Sequence, residues 1–288
     1  MNKKILHLFQ WDIKDIINNL DEIKNSGWTS ILISPVQPKT NEDNKAWWSV
    51  YQIKSLSVKD EEMLYVLCNK AHTIGLEVFA DVIVTHFGND GKMNSLNTAD
   101  NVDKQLVNNK WFWREKKQIN YNDRWSVTHH CNGLPSINTD NYDYQDLVIE
   151  FFNRLIELGV DGLRIDSAKM IGLPEEYGDN FFIRVLQGLT KEIFIFGEVI
   201  FESKELIQKY EKYINVLNEF NKNSYELDKN RTVVFIESHD SFLDSSIGYT
   251  SSWSEEKILN EYKYIKRDFN NVLFYSRPFS EAWRYANK

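Results

Sequence analysis

The chain is poor in cysteine: Cys68 and Cys131 are the only two in 288 residues. That number and spacing exclude a disulfide framework and a cysteine-based metal pattern, and leave two free cytosolic thiols. No apolar run is long enough to cross a bilayer, so a membrane is not expected as a partner. The cationic tip Met1-Asn2-Lys3-Lys4 leads into a short apolar run, and charge returns at Asp12. A signal peptide needs a longer run and a small-residue cleavage site, so a cytoplasmic location is expected unless a leader was trimmed. There is no basic block and the net charge is −8, which argues against nucleic acid as a partner. No Gly-rich phosphate loop follows the first strand, which argues against a dinucleotide fold. His-x-His and His-Glu-x-x-His are also missing, which argues against a metal hydrolase.

What is present is a large apolar and aromatic complement, 42% hydrophobic and 14% aromatic. It suits one full-size domain with a sizeable core and a small insertion. Ile5 to Gln10 reads as a first strand, and the stripe Ile13, Ile16, Ile17, Leu20, Ile23 as a helix ended by Gly27. Trp28 to Ser34 is a second strand, followed by a Trp-rich loop and a helix from Glu61 to Thr73. Leu76 to Val84 is nearly all apolar, as a strand covered on both faces should be. The alternation then stops. Residues 87–139 are polar and aromatic, too long for an ordinary loop, and are expected to form an inserted subdomain. Trp111, Trp113 and Trp125 lie there, read as holding that subdomain together or as extending a ligand groove.

Alternation resumes with a helix from about Gln145, a fourth strand from Val160 and a helix over Phe181–Thr190. A fifth strand over Ile193–Glu198 and a helix over Lys204–Lys212 follow. A weak sixth strand is expected over Tyr213–Leu217, a seventh from Thr232, a helix over Glu255–Arg267 and an eighth strand over Asn271–Tyr275. The pattern predicts an α/β (β/α)₈ TIM barrel over residues 1–86 and 140–288, with residues 87–139 inserted after the third strand. A doubly wound open sheet is the competing architecture.

In such a barrel the C-terminal strand ends carry the chemistry. In Gly162-Leu-Arg164-Ile-Asp166-Ser-Ala-Lys169, Arg164 and Asp166 are two apart and share one face of a strand. The pair reads either as a structural ion pair or as an ionised nucleophile held by a cation. The fifth strand ends on Glu198 and the seventh runs into Glu237-Ser-His239-Asp240, so acids are expected on one rim. Retaining glycoside hydrolysis needs an ionised carboxylate and a protonated carboxyl about 5 Å apart. Asp166 suits the first role. Glu198 follows an Ile/Phe run, and desolvation there would raise its pKa and suit it to the second. Asp240 and two His remain to hold sugar hydroxyls.

Asp81-Val-Ile-Val-Thr85-His86, the Gly162–Lys169 stretch, Phe196-Gly-Glu198-Val199 and Phe235-Ile-Glu237-Ser-His239-Asp240 resemble, in order, the four sequence regions of the α-amylase family. Leu134-Pro-Ser-Ile-Asn138 is similar to its extra region, Trp47-Trp48-Ser-Val-Tyr51-Gln52 to its stacking loop, and Phe274-Tyr-Ser-Arg277-Pro278 to the bacillary type. The resemblance implies Asp166 as nucleophile, Glu198 as acid/base and Asp240 as transition-state stabiliser. It implies that Arg164 orients Asp166, that His86 and His239 bind the sugar at the cleavage point, and that Tyr51 stacks on it. Gln52 and Asp81 would support the site, Lys169 would contact the leaving-side sugar, and Trp47 and Trp48 would touch substrate. Lys169 fits the α-1,4-glucan hydrolases of the family better than its α-1,6-glucosidases.

The chain departs from the family in three places. The family's calcium joins the inserted domain to the barrel. Its usual Asn ligand is Thr85 here, its acid falls near Ser126, and Met170 stands for the His whose carbonyl is a ligand. Neutral hydroxyls are poor substitutes for a carboxylate, so the calcium site is expected to be lost or weak, with no other cofactor. The chloride-binding Asn is Ser238, so chloride activation is not expected. The chain stops just after the eighth strand, so no C-terminal β-sandwich is expected. The expected function is a retaining α-glucan hydrolase acting on starch, glycogen or maltooligosaccharides. A glucan transglycosylase of the same fold and a non-catalytic glucan-binding protein are the alternatives.

Overall fold

The computed structural model describes residues 2–39, 51–53, 56–243 and 249–287. Eight strands run in chain order: β1 (Lys3–Leu8), β2 (Ser30–Ile33), β3 (Glu77–Val82), β4 (Gly162–Ile165), β5 (Phe194–Glu198), β6 (Asn215–Glu219), β7 (Thr232–Phe235) and β8 (Asn271–Tyr275). Each pairs in parallel with the next, and β8 pairs with β1 through Ile5–Leu273 and His7–Tyr275, closing the barrel. Closure rules out the open sheet: the fold is a (β/α)₈ TIM barrel.

The helices are α1 (Ile13–Asn25), α2 (Val58–Thr73), α3 (Lys104–Val107), α4 (Arg124–His129), α5 (Tyr142–Glu157), α6 (Pro174–Tyr177), α7 (Phe181–Gln187), α8 (Lys204–Tyr210), α9 (His239–Leu243) and α10 (Glu255–Asp268). Their starts follow from local chemistry. Asp12 caps α1 by accepting from the Lys14 N–H at 2.8 Å, and Ser57 caps α2 by accepting from Asp60 N at 3.2 Å. The sixth unit is shortened: β6 reaches β7 through a 3₁₀ turn at Lys222–Glu226 in place of a long helix. β6 nonetheless pairs on both sides, two residues later than the sequence predicts.

The strands are apolar on both faces. Outward residues such as Leu6, Ile31, Val78 and Ala80 meet the helices, while Ile5, Leu32, Phe79, Phe196, Leu217, Val233, Phe235 and Leu273 fill the barrel. Gly162 makes room inside: an added Cβ would lie 2.5 Å from Phe194 O and 2.7 Å from Phe79, whose ring stacks on Phe194. Because side chains alternate with a period of two, the next inward residues toward the strand ends are Asp81 above Phe79 and Glu198 above Phe196.

Residues 87–139 give no strand to the barrel and carry α3, α4 and isolated bridges such as Trp113–Ile137 and Gln118–Cys131. Trp113 is packed there, its indole N–H donating to Leu106 O at 2.9 Å and its ring meeting Phe87 edge-on. Trp125 is half exposed and stacks on His129. The Trp111 side chain is outside the described set. Cys68 and Cys131 are both free and buried. Among the described residues no helix is long and apolar enough to cross a membrane.

Candidate active site

Register brings the charged residues together. Asp81 on β3 sits beside Arg164 on β4, and Arg164 beside Phe196 on β5. Arg164 Nη1 lies 3.0 Å from both Asp81 oxygens and 2.6 Å from Asp166 Oδ1, and its Nη2 lies 2.7 Å from Glu198 Oε1. One buried guanidinium therefore holds three carboxylates, the side-by-side donor geometry that lysine cannot offer. Ser167, the residue after Asp166, has a left-handed backbone with φ +47°, and its N–H donates to Glu198 Oε2 at 3.0 Å. Glu198 is thus ion-paired through Oε1 and accepts a backbone N–H at Oε2, rather than set in the apolar pocket that its Ile/Phe run suggests. The cause is tertiary: Arg164 comes from the neighbouring strand.

Burial pushes the Asp166 carboxyl up, but the Arg164 guanidinium outweighs it and holds it below its usual value. Burial pushes Asp240 up to about 8, with Glu198 adding to the rise, and pushes Asp81 up to about 7 against the pull of Arg164. The histidines go the other way. Burial lowers His239 to about 3, assisted by Arg164, and lowers His86 against the pull of Asp166. At neutral pH both imidazoles are uncharged, able to hydrogen-bond without adding charge. His86 Nε2 is 3.8 Å from Asp166 Oδ2, and its Nδ1 meets the Thr85 hydroxyl at 3.0 Å. His239 and Asp240 open α9, a turn fixed by reciprocal bonds: Ser238 N to Ser241 Oγ at 2.9 Å and Ser241 N to Ser238 Oγ at 3.2 Å. The His239 Nε2 lies 3.5 Å from Asp240 Oδ1, and its ring stacks on Phe9 at 4.3 Å.

Tyr51 is buried against Ile83, and Gln52 is buried with its side-chain oxygen accepting from Asp103 N at 2.9 Å, a tie to the inserted segment. The Lys169 ammonium donates to Ile200 O at 3.1 Å, lies 3.4 Å from Glu202 and sits over the Tyr121 ring. Trp47 and Trp48 lie outside the described residues.

Sequence reasoning missed His7. It is buried, 5.2 Å ring to ring from His239 in an edge contact, and held well below its ordinary pKa by burial, then by His239 and Arg164. Its signal was parity, since it stands two residues after the inward Ile5. Glu237 was grouped with the rim acids. It instead pairs with Arg277 after β8, both Arg277–carboxylate contacts being 2.8 Å. A cavity of about 390 Å³ lined by Leu189, Ile193, Ile195, Tyr213 and Arg231 opens at the starts of β5 and β6, the end of the barrel opposite these residues.

A family profile described as the catalytic domain of alpha amylase matches residues 9–272. A curated alpha-amylase of Clostridium acetobutylicum is 27% identical, over 88% of this chain and 37% of its own length. One from Butyrivibrio fibrisolvens is 24% identical, over 95% of this chain and 34% of its own length. The chain therefore spans about a third of these relatives. In fold it is similar to the α-amylase of Geobacillus thermoleovorans solved with acarbose, at a TM-score of 0.73 and 18% identity, over 95% of this chain and 69% of that one. With a profile match running from the residue after β1 into β8, the chain belongs to the α-amylase catalytic-domain family.

Proposed function

We propose that the protein is a retaining glycoside hydrolase that cleaves α-1,4-glucosidic bonds in starch, glycogen or maltooligosaccharides. The observation that carries this reading is the single Arg164 guanidinium contacting both Asp166 and Glu198. Bridging by one cation favours the short carboxyl separation of a retaining pair over the wider gap that an inverting enzyme leaves for water.

In the first step the ionised Asp166 attacks the anomeric carbon as the bond to the leaving oxygen breaks, and Glu198 gives that oxygen its proton. In the second, Glu198 takes a proton from water, the water oxygen bonds to the anomeric carbon, and Asp166 is released as carboxylate. Burial and the neighbouring Glu198 push the Asp240 carboxyl up to about 8, and in its protonated form it can both donate to and accept from sugar hydroxyls. Neutral His86 and His239 suit the same task, and Tyr51 offers an aromatic face. Arg164 keeps Asp166 ionised and oriented. Lys169 stands on the strand-β4 loop, where it would meet the leaving-side sugar.

The test is reducing-end release from soluble starch and maltoheptaose by the wild type and Asp166→Asn, with products sized. Activity in the wild type that the substitution abolishes is expected. Products longer than the substrate would replace hydrolysis by transfer. Glucan binding without turnover would overturn the enzyme reading.

A further inference from the structure

The loop after β4 turns through a 3₁₀ helix at Ala168–Met170 before α6. Three successive carbonyls of that loop, Lys169, Met170 and Ile171, take donors from arginines of the inserted segment. Arg114 Nη2 donates to Met170 O at 2.7 Å, and its Nη1 donates to Val127 O and His130 O, each at 3.3 Å. Arg124 donates to Lys169 O at 2.5 Å and to Ile171 O at 3.3 Å. Arg124 is itself held by Glu176 at 2.8 Å and by the Tyr210 hydroxyl at 2.7 Å.

Backbone carbonyls from two chain segments converging on one cation are a typical hard-metal donor set. Here the cation is a guanidinium. The positions that the family resemblance assigns to calcium are engaged otherwise. Thr85 Oγ1 meets His86 Nδ1 at 3.0 Å, and Ser126 Oγ meets His130 Nδ1 at 2.7 Å and accepts from Asn120 N at 2.8 Å. The Met170 carbonyl is taken by Arg114. These residues do not fit calcium: two ligands are neutral hydroxyls, and a buried positive charge stands at the third. The Arg114 guanidinium is buried, and a guanidinium keeps its charge at neutral pH. The nearby acid Asp179 is already committed to the N–H groups of Gly172 and Phe181 and to the Thr139 hydroxyl.

We propose that Arg114, backed by Arg124, is a built-in cation that replaces the calcium ion as the cross-link between the inserted segment and the barrel. Replacing an ion by a tethered guanidinium makes the seam independent of metal supply. It also makes the seam hostile to a second cation, because like charges repel strongly where water is excluded. The planar fork matters, since it reaches carbonyls on both sides of the seam at once, whereas lysine offers one compact charge.

The experiment is thermal melting of the wild type, Arg114→Gln and Arg114→Lys, each in chelator and in millimolar calcium. The inference needs no catalytic activity, so its failure is separate from failure of the hydrolase reading. The wild type should melt at the same temperature in both buffers. Arg114→Gln should melt several degrees lower, with limited proteolysis opening first within residues 87–139, and Arg114→Lys should fall between. A wild-type melt that rises several degrees with calcium overturns the proposal, and so does an Arg114→Gln protein as stable as the wild type. If Arg114→Gln does not fold, Arg114→Lys decides: intermediate stability supports the fork, and wild-type stability overturns it.

Discussion

Arg164 Nη2 stands 2.7 Å from Glu198 Oε1 while Nη1 of the same guanidinium stands 2.6 Å from Asp166 Oδ1. The two carboxylates proposed for the chemistry are thus oriented by one rigid planar group, itself 2% exposed. The arrangement ties the position of each acid to that of the other, and it exposes the site to the loss of one side chain.

Replacing Arg164 by Met should cost both activity and stability. It leaves Asp81, Asp166 and Glu198 facing one another without a counter-charge, and breaking a buried ion pair in this way costs about 3–5 kcal/mol. Turnover on maltoheptaose should fall by about a thousandfold, since an orienting and charge-stabilising donor is lost. Arg164→Lys should recover stability better than turnover, because one ammonium cannot reproduce the fork. Equal recovery of both would count against orientation as the role of Arg164.

Asp240→Asn should make the protein more stable, and more so at higher pH. Folding raises the Asp240 carboxyl from its ordinary 3.8 to about 8. A raised acid contributes its stability in full below the unfolded pKa, and that contribution is lost as pH rises through the folded one. The wild type therefore loses stability between about pH 4 and pH 8 through this group, and the amide variant does not. A gain on the order of 1–3 kcal/mol at pH 8, shrinking toward pH 5, is expected from denaturant midpoints. A gap that widens on acidification would contradict the sign.

Glu237→Gln tests the pair between the β7 and β8 ends. Arg277 also donates to Trp253 O at 2.8 Å and to Thr250 O at 3.0 Å, so this pair fastens the segment before α10 to the barrel. Removing the carboxylate charge from a residue that is 2% exposed leaves a part-buried guanidinium underpaired and should cost about 1–3 kcal/mol by chemical denaturation. An unchanged midpoint would mean that solvent already screens the pair.

Gly162→Ala probes the packing beneath the site. Its Cβ would meet the Phe194 carbonyl at 2.5 Å, a backbone atom that cannot swing aside. A loss of about 1–3 kcal/mol is expected from overpacking, read as a lower melting temperature. A neutral result would show that β4 and β5 can shift apart at no cost.

Local pattern alone determined much of this protein. The stripe from Ile13 to Ile23, the near-continuous apolar run at Leu76–Val84 and the exact span Asn271–Tyr275 announce helix and strand, because periodicity and burial are properties of adjacent residues. The motifs around Asp81, Asp166, Glu198 and Asp240 were legible for the same reason. What only the tertiary structure decided is what each charge faces. Nothing near Glu198 in sequence indicates that Arg164 would neutralise its surroundings, nothing near Glu237 points to Arg277, and His7 joins the site only because β1 closes on β8. Arg114 gives no sign, 56 residues before Met170, that its guanidinium will hold that carbonyl. Register and barrel closure set these pairings. They arise between strands far apart in the chain, and long-range electrostatics is the part of the energy that adjacent residues do not encode.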